Sequence, residues 1–329
     1  MFQMARPMTR LHWLLGMGVF LALVFSHLIW GVVDIALFTP LETVHREILL
    51  HVRVPRMLAA VAGGAGLSLC GLVLQTWFGN PLAGPSVLGV SSGAGLGVAL
   101  LVLLGLTASW WATAAAAMAG SALVLVLVLF VAHRFRTATA LLIFGLMLNY
   151  VVGAMITVLQ AEAQQDALQQ FVFWGMGTFG HGSMATSLGL CAAVVFAGLT
   201  LSVMHRDLDT WTLGPLTAQS MGVNNSALRW RIVALAGLLT GGITAACGPV
   251  AFLGLATPHV VRLLTAERSH RVLIPLTALT GAILALVADW GVKGFWGMEQ
   301  GWPLNAVLSL IGGPMVIWVL VSKTHRLHD

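Results

Sequence analysis

The chain reads as a series of long apolar stretches separated by short polar breaks. Ten stretches stand out: residues 12–34, 57–75, 86–105, 110–132, 138–160, 187–204, 230–247, 250–264, 272–292 and 304–321. Most approach the roughly 20 residues that a helix needs to cross a bilayer. The pattern therefore predicts an all-α membrane protein with about ten transmembrane helices, forming a single transmembrane domain over residues 1–329. The eighth stretch is short, follows Gly248-Pro249 and contains Pro258, which predicts a broken or tilted helix.

Residues 53–97 carry a helical hairpin with a polar turn between Gln75 and Pro85 and a second, Gly-rich helix from near Ser86. Gly89, Gly93 and Gly97 lie four apart and are expected to stack on one face, as are Ala62 and Gly66 on the preceding helix. In lipid, small residues at that spacing let helix backbones approach closely. Gly89-Val-Ser-Ser-Gly93 also matches a hydrolase nucleophile elbow. That motif needs a strand ahead of the serine, and the apolar, helical surroundings argue for packing instead.

The polar breaks differ in character. Residues 34–56 are expected as an outer loop ending in the pair Arg53 and Arg56, and residues 161–186 as a second outer loop with Trp174 and Phe179 at the interface. Residues 205–229 form the longest inner break, and Leu213 to Val223 predict one or two short surface helices bounded by Gly214 and Gly222. With the N-terminus inside, twelve Lys/Arg (Arg6, Arg136 and Arg326 among them) face the cytoplasm and four (Arg46, Arg53, Arg56, Lys293) face out. That bias sets the orientation, and an even number of spans puts both termini inside. The first stretch reads as a span and not a cleaved signal, because it is long and lacks a clear cleavage site.

Composition agrees. The chain is 58% hydrophobic and 8% charged, against roughly 25% charged in soluble domains. The net charge of +5 follows topology and implies no nucleic-acid partner. Cys70, Cys191 and Cys247 are scattered in apolar runs and predict neither a disulfide framework nor a metal site. Only Lys293 and Lys323 are lysines, and neither follows a glycine, so the phosphate-binding Gly-Lys-Ser/Thr loop is absent. Midspan acids are missing: Asp34 and Asp289 lie near span ends, and His27, Asn149 and His259 are expected to be satisfied by neighbouring helices. The chain is thus expected to bind no cofactor and to take its energy from a partner acting on the inner loop.

Arg53-Val-Pro-Arg56, Gln75 through Asn80-Pro81-Leu82-Ala83, Leu88-Gly89-Val90-Ser91, Gly248 through Leu255, Pro258-His259, Arg262-Leu263-Leu264, Ala288-Asp289 and Ile311-Gly312-Gly313-Pro314 occur in one order along nearly the whole chain. This set resembles the FecCD-type permeases of bacterial ABC importers for iron-siderophores, haem and cobalamin. The resemblance implies ten spans in the inner membrane and a second permease subunit, with an identical copy as the expectation. It also implies two cytoplasmic ATPase subunits carrying ATP and Mg, and a periplasmic substrate-binding protein. Leu213, Gly214, Pro215, Leu216, Ala218, Met221 and Gly222 match the ATPase coupling loop; Asn80, Pro81 and Leu82 match the cytoplasmic gate; Arg53, Arg56 and Lys293 match the docking positions for the binding protein. Three positions depart from the family pattern: Pro215 replaces an acid, Lys293 an arginine, and Gly301-Trp302-Pro303 a Glu-Leu-Pro segment.

The expected function is ATP-driven import of an iron chelate, siderophore-bound iron or haem. Cobalamin import is the alternative. An energy-independent channel or scaffold, or an intramembrane enzyme using Ser91 or Ser92 with His259, are readings of other classes.

Overall fold

A computed structural model describes residues 10–30, 43–106, 109–134, 137–265, 267–293 and 302–325. Asp34, Arg6, Arg136, Arg326 and Gly301, which entered the readings above, lie outside these residues. The elements are α1 (Arg10–Ile29), α2 (Thr43–Ile48), α3 (Val54–Phe78), α4 (Val90–Leu103), α5 (Trp110–Arg134), α6 (Ala138–Glu162), α7 (Gln165–Gly175), α8 (Met184–Val203), α9 (His205–Trp211), α10 (Pro215–Ser220), α11 (Asn225–Cys247), α12 (Leu253–Thr265), α13 (His270–Val292) and α14 (Leu304–His325). No strand occurs among the described residues. Six helices are long and apolar enough to cross a membrane: the one ending at Phe78, then α5, α6, α8, α11 and α13. Within α1, α4 and α14 lie shorter apolar segments, and α12 has 13 residues.

Helix α3 is the axis of the bundle. From Leu67 to Trp77 every residue is buried, and α8, α11, α12 and α13 pack around it. Its composition of Ala, Gly and small aliphatics makes that possible. A Cβ on Gly64 would collide with the Gly281 carbonyl of α13, and one on Gly71 with the Gly254 carbonyl of α12. Backbone thus touches backbone on two sides, the contact that small residues allow when lipid supplies no hydrophobic drive between helices. The second hairpin helix does the same on a smaller scale: Gly93 and Gly97 of α4 abut the Gly120 and Ala116 carbonyls of α5.

Three expectations need correction. Gly89 does not share the Gly93 face; it sits at φ 77° as a left-handed joint between a 3-10 turn, Pro85–Leu88, and α4. The second hairpin helix therefore starts at Val90 and not near Ser86. Residues 43–53 are not loop: α2 runs through a π-helical turn, Leu49–Arg53, straight into α3. The outer break 161–186 contains α7, whose buried Phe171 packs against α4-side residues. The inner break resolves into two short helices, α9 and α10, separated and ended by positive-φ Gly214 and Gly222 as the sequence implied.

The eighth stretch is not broken at Pro258: α12 runs through it, and the interruption lies ahead of the helix. Between α11 and α12 the chain is non-helical, with Phe252 at φ 65°. Non-helical backbone packed within a helix bundle needs partners for its polar groups. Asn305 of α14 provides them: its Oδ1 accepts from Ala251 N–H at 3.0 Å, and its Nδ2 donates to the Pro249 and Gly175 carbonyls at 2.8 and 3.2 Å. Thr178 N–H donates to the Cys247 carbonyl at 2.8 Å.

Gly71→Ala should destabilise the protein by about 1–3 kcal/mol, the usual cost of overpacking. Gly153→Ala, where an added Cβ meets nothing within 4 Å, should be neutral. Thermal unfolding in detergent compares the two; equal midpoints would mean that α3 and α12 are not in backbone contact.

Candidate functional site

At one end of the bundle the N-terminus of α3 meets the C-termini of α1 and α13. Asp289, near the end of α13, is almost wholly buried. Its two oxygens each accept from Arg56 Nε at 3.0 Å, and Oδ1 lies 2.9 Å from Arg56 Nη2. Lys293 Nζ is 3.6 Å away, and His27 Nε2 of α1 3.3 Å. His27 Nδ1 lies 3.1 Å from the Leu23 carbonyl of its own helix. A buried carboxylate is costly unless paired and hydrogen-bonded, and this one is surrounded by donors.

The three basic positions thus converge but are not equivalent. Arg53 is 6% exposed, and its Nη1 donates to the carbonyls of Leu28 and Ile29 at 2.7 and 2.5 Å. It closes the unpaired carbonyls at the end of α1. Glu47 pairs with His51 at 3.2 Å. Arg56 and Lys293 keep 22% and 20% of their side chains exposed. Burial pulls the Lys293 ammonium down to about 8, with Asp289 resisting and Arg56 and Arg53 reinforcing the fall. On the same end a cleft of about 510 Å³ lies between α5 and α7, lined by Trp110, Asp166, Gln169, Phe173, Trp174 and His181.

At the opposite end, Asn80, Pro81 and Leu82 form a tight turn after α3. Asn80 Oδ1 accepts from Leu82 N–H at 2.9 Å, and its carbonyl accepts from Ala83 N–H at 3.1 Å. The Pro81 carbonyl lies 2.6 Å from His259 Nε2 of α12. Arg262 Nη1 donates to Gln75 Oε1 at 2.7 Å, and Gln75 Nε2 donates to the Leu255 carbonyl at 3.1 Å. The turn is held, while the Leu82 side chain is half exposed. Beside it stand α9 and α10. Leu213, Leu216 and Met221 expose 63%, 84% and 63% of their surfaces, whereas Ala218 is fully buried. Asn225 Nδ2 donates to the Pro215 carbonyl at 2.9 Å, so Pro215, standing where the family pattern has an acid, tops a helix tied to α11.

The enzymatic reading finds no support in geometry. Ser91 lies in the first turn of α4, 3.3 Å from the Thr244 hydroxyl, and Ser92 donates to Asn149 Oδ1 at 2.7 Å. Asn149 also donates to the Ser86 carbonyl at 3.0 Å, as expected of a polar group satisfied across helices. The elbow's strand is missing among the described residues. Among them, too, no cluster of His, Cys, Asp and Glu could hold a metal ion.

Comparison with known proteins agrees with this architecture. The model of the FecCD transport family matches residues 14–322. The chain belongs to the FecCD transport family. It is an ABC-importer permease of that family. It is 34% identical over 317 residues to the vitamin B12 import system permease BtuC of Vibrio cholerae, covering 95% of this chain and 93% of that protein. It is 30% identical to the hemin transport permease HmuU of Yersinia pestis, covering 85% of each. It is also 30% identical to the molybdate import permease MolB of Haemophilus influenzae, covering 87% and 84%. A solved inward-facing structure of a metal-chelate type ABC transporter superposes with a TM-score of 0.87 at 26% identity, covering 95% of this chain and all of that one.

Arg53, Arg56 and Lys293, singled out in the sequence, lie at one end of the fold, but the group that joins Arg56 to Lys293 was missed. Asp289 was legible only as an acid near a span end. Its partner Arg56 lies 233 residues away, and nothing local announces the pairing.

Breaking this cluster should be costly. Asp289→Ala is expected to destabilise the protein by about 3–5 kcal/mol, as for other buried pairs that lose one partner. Adding Arg56→Ala should recover part of the loss, because the stranded charge is then gone. Unfolding midpoints of the two singles and the double measure this; strict additivity would mean that the pair is not coupled.

Proposed function

We propose that this chain is the transmembrane subunit of an ATP-driven importer that carries a metal chelate inward across a bacterial inner membrane. The observation that carries the reading is the α9–α10 segment. It offers an apolar patch of Leu213, Leu216 and Met221 on a short helix whose other face is anchored by Ala218. Apolar side chains held out at a membrane protein's water-facing end mark an interaction site. The chain has no phosphate-binding loop of its own, and a separate ATPase seated on this patch supplies the missing energy. Counting α1, α4, α12 and α14 with the six long helices supports a ten-span reading, in which both termini share one side, and the Lys/Arg bias makes that side the cytoplasm. The exposed apolar face of α6, with Leu146, Tyr150 and Val158, is where a second permease subunit or lipid packs.

An iron chelate, siderophore-bound iron or haem, is the first substrate reading. Cobalamin is the second, favoured by the 34% identity to the Vibrio cholerae vitamin B12 permease. Uptake into proteoliposomes holding the permease, its ATPase and the cognate binding protein decides between haemin, a ferric siderophore and cobalamin. In the same vesicles, Leu216→Glu with Met221→Glu should leave the protein folded, since both side chains are exposed, and should abolish ATP-driven uptake. Normal uptake by this variant would sink the coupling assignment.

Docking of the binding protein belongs to the opposite end. Arg56 and Lys293 present the exposed charge there, while Arg53 is buried against α1. Lys293→Gln leaves the Arg56–Asp289 pair standing and is the cleaner variant. It should weaken docking about tenfold, ~1.4 kcal/mol, with a larger effect at low salt. Lys293 is charged below about 8, so docking of an acidic partner by the parent protein should weaken as pH rises through that value. Lys293→Gln should lose this pH dependence. Unchanged affinity and an unchanged pH profile would exclude Lys293 from the interface.

A further inference from the structure

The end of α3 that carries the Asn80–Leu82 turn is gripped from two sides. One grip is α12, through His259, Arg262 and the Leu255 carbonyl. The other is α9, the helix just ahead of the exposed patch. Trp211, its last residue, stacks on Trp77 with ring centroids 4.1 Å apart and planes 13° from parallel. Its indole Nε1–H donates to the Trp77 carbonyl at 3.1 Å. Trp77 stands three residues before Asn80.

A second connection runs beside the stack. Asp209 Oδ1 accepts from the backbone N–H of His270 at 2.8 Å and lies 2.6 Å from its ring Nδ1, while Oδ2 accepts from the Ser269 hydroxyl at 3.1 Å. His270 Nε2 is hydrogen-bonded to the Thr76 hydroxyl at 2.8 Å, and that hydroxyl donates to the Leu72 carbonyl at 2.9 Å. Burial alone would raise the Asp209 carboxyl; the donors from His270 and Ser269 outweigh it and hold the group below its ordinary value. One carboxylate thus caps α13 and, through a buried histidine, reaches the residue next to Trp77.

These bonds join the patch-bearing segment to the turn. Trp211 and Gly214 are tied by a backbone bond at 3.0 Å, and Gly214 in turn accepts from Ala218 N–H at 2.9 Å. Helix α10 is thus bonded, through Gly214, to the residue that carries the stack. Apolar contact alone would let α9 slide over α3. A stacked, hydrogen-bonded indole and a carboxylate–imidazole–hydroxyl chain fix both position and register.

We propose that Asp209 and Trp211 are positioning residues that lock the ATPase-coupling segment to the gate end of α3, so that displacement of α10 moves the Asn80–Leu82 turn. This rests on the coupling and gate readings above. Spatial continuity does not by itself establish energetic coupling, so the test reads motion at the turn.

The permease–ATPase complex, carrying Leu82→Cys, is reconstituted and exposed to a membrane-impermeant maleimide with and without Mg-ATP. Cys70 and Cys247 are buried, and a parent lacking Leu82→Cys corrects for Cys191. ATP should change the labelling rate of Leu82→Cys. Asp209→Asn, which keeps the shape of the side chain, and Trp211→Leu should each shrink that change by about fivefold or more, with ATP hydrolysis still measurable. Trp211→Phe, which keeps a ring on Trp77, should retain most of it. Trp77→Leu with Trp211→Leu should be no worse than the worse single, as for groups acting through one contact. An intact ATP response in both Asp209→Asn and Trp211→Leu overturns the proposal. Two control arms separate it from the readings beneath it. If Leu82→Cys alone shows no ATP response, the gate reading fails. If Leu216→Glu with Met221→Glu responds normally, the coupling reading fails. If that variant is silent while Asp209→Asn and Trp211→Leu respond, the coupling reading stands and only the link falls.

Discussion

Close backbone contact along α3 is the constraint on which the remainder depends. In hydrocarbon there is no water to expel between helices, so cohesion comes from dispersion and from how near two backbones can come. Gly64 against Gly281 and Gly71 against Gly254 bring α13 and α12 to α3 at separations that a single methyl would forbid. With those distances set, the polar groups at both ends of α3 fall into reach of partners on α12 and α13. Arg56 meets Asp289 at one end, and Thr76 meets His270 at the other. The apolar middle sets the spacing, and the polar ends read it out.

The charged groups follow a common logic. Several of them satisfy a backbone or charge defect that the fold creates elsewhere. Arg53 closes the carbonyl end of α1, Asp209 caps the start of α13, and Asn305, though uncharged, serves the broken stretch before α12. Side chains so engaged are poorly free to do anything else. By contrast, Leu213, Leu216 and Met221 expose most of their surfaces, and Arg56 and Lys293, though tied to Asp289, keep about a fifth of theirs open. The difference separates groups that hold the fold from groups left over for partners.

Much of the fold was legible because membrane spans announce themselves by length and composition. The ten apolar stretches each contain a helix. The two glycines bounding α10 were read correctly from turn chemistry. What escaped was of two kinds. The first was local: Gly89 keeps the four-residue spacing of Gly93 and Gly97 but serves as a positive-φ joint, and spacing cannot tell a packing glycine from a hinge. Residues 43–53 were read as loop because they are polar, yet a polar helix outside the apolar slab looks like loop to a hydropathy scale. The second was long-range. Asp289 with Arg56, Asp209 with His270 and Trp211 with Trp77 join residues separated by 233, 61 and 134 positions. Only a folded bundle shows which helix ends are neighbours.

The unbroken run from α2 into α3 has a mechanical consequence. The helix ending at Phe78 is 35 residues long, roughly 52 Å at about 1.5 Å per residue. The hydrocarbon slab is only about 30 Å thick. About two-fifths of this length therefore exceeds the slab or is taken up by tilt, and the first turns bear the exposed pair Glu47 and His51. Arg56 is carried on the same rod that ends in Trp77. A displacement at one end meets a continuous helix and not a loop. Tilting it as a unit moves Arg56 and Trp77 together, with no side chain along the way needing to change rotamer.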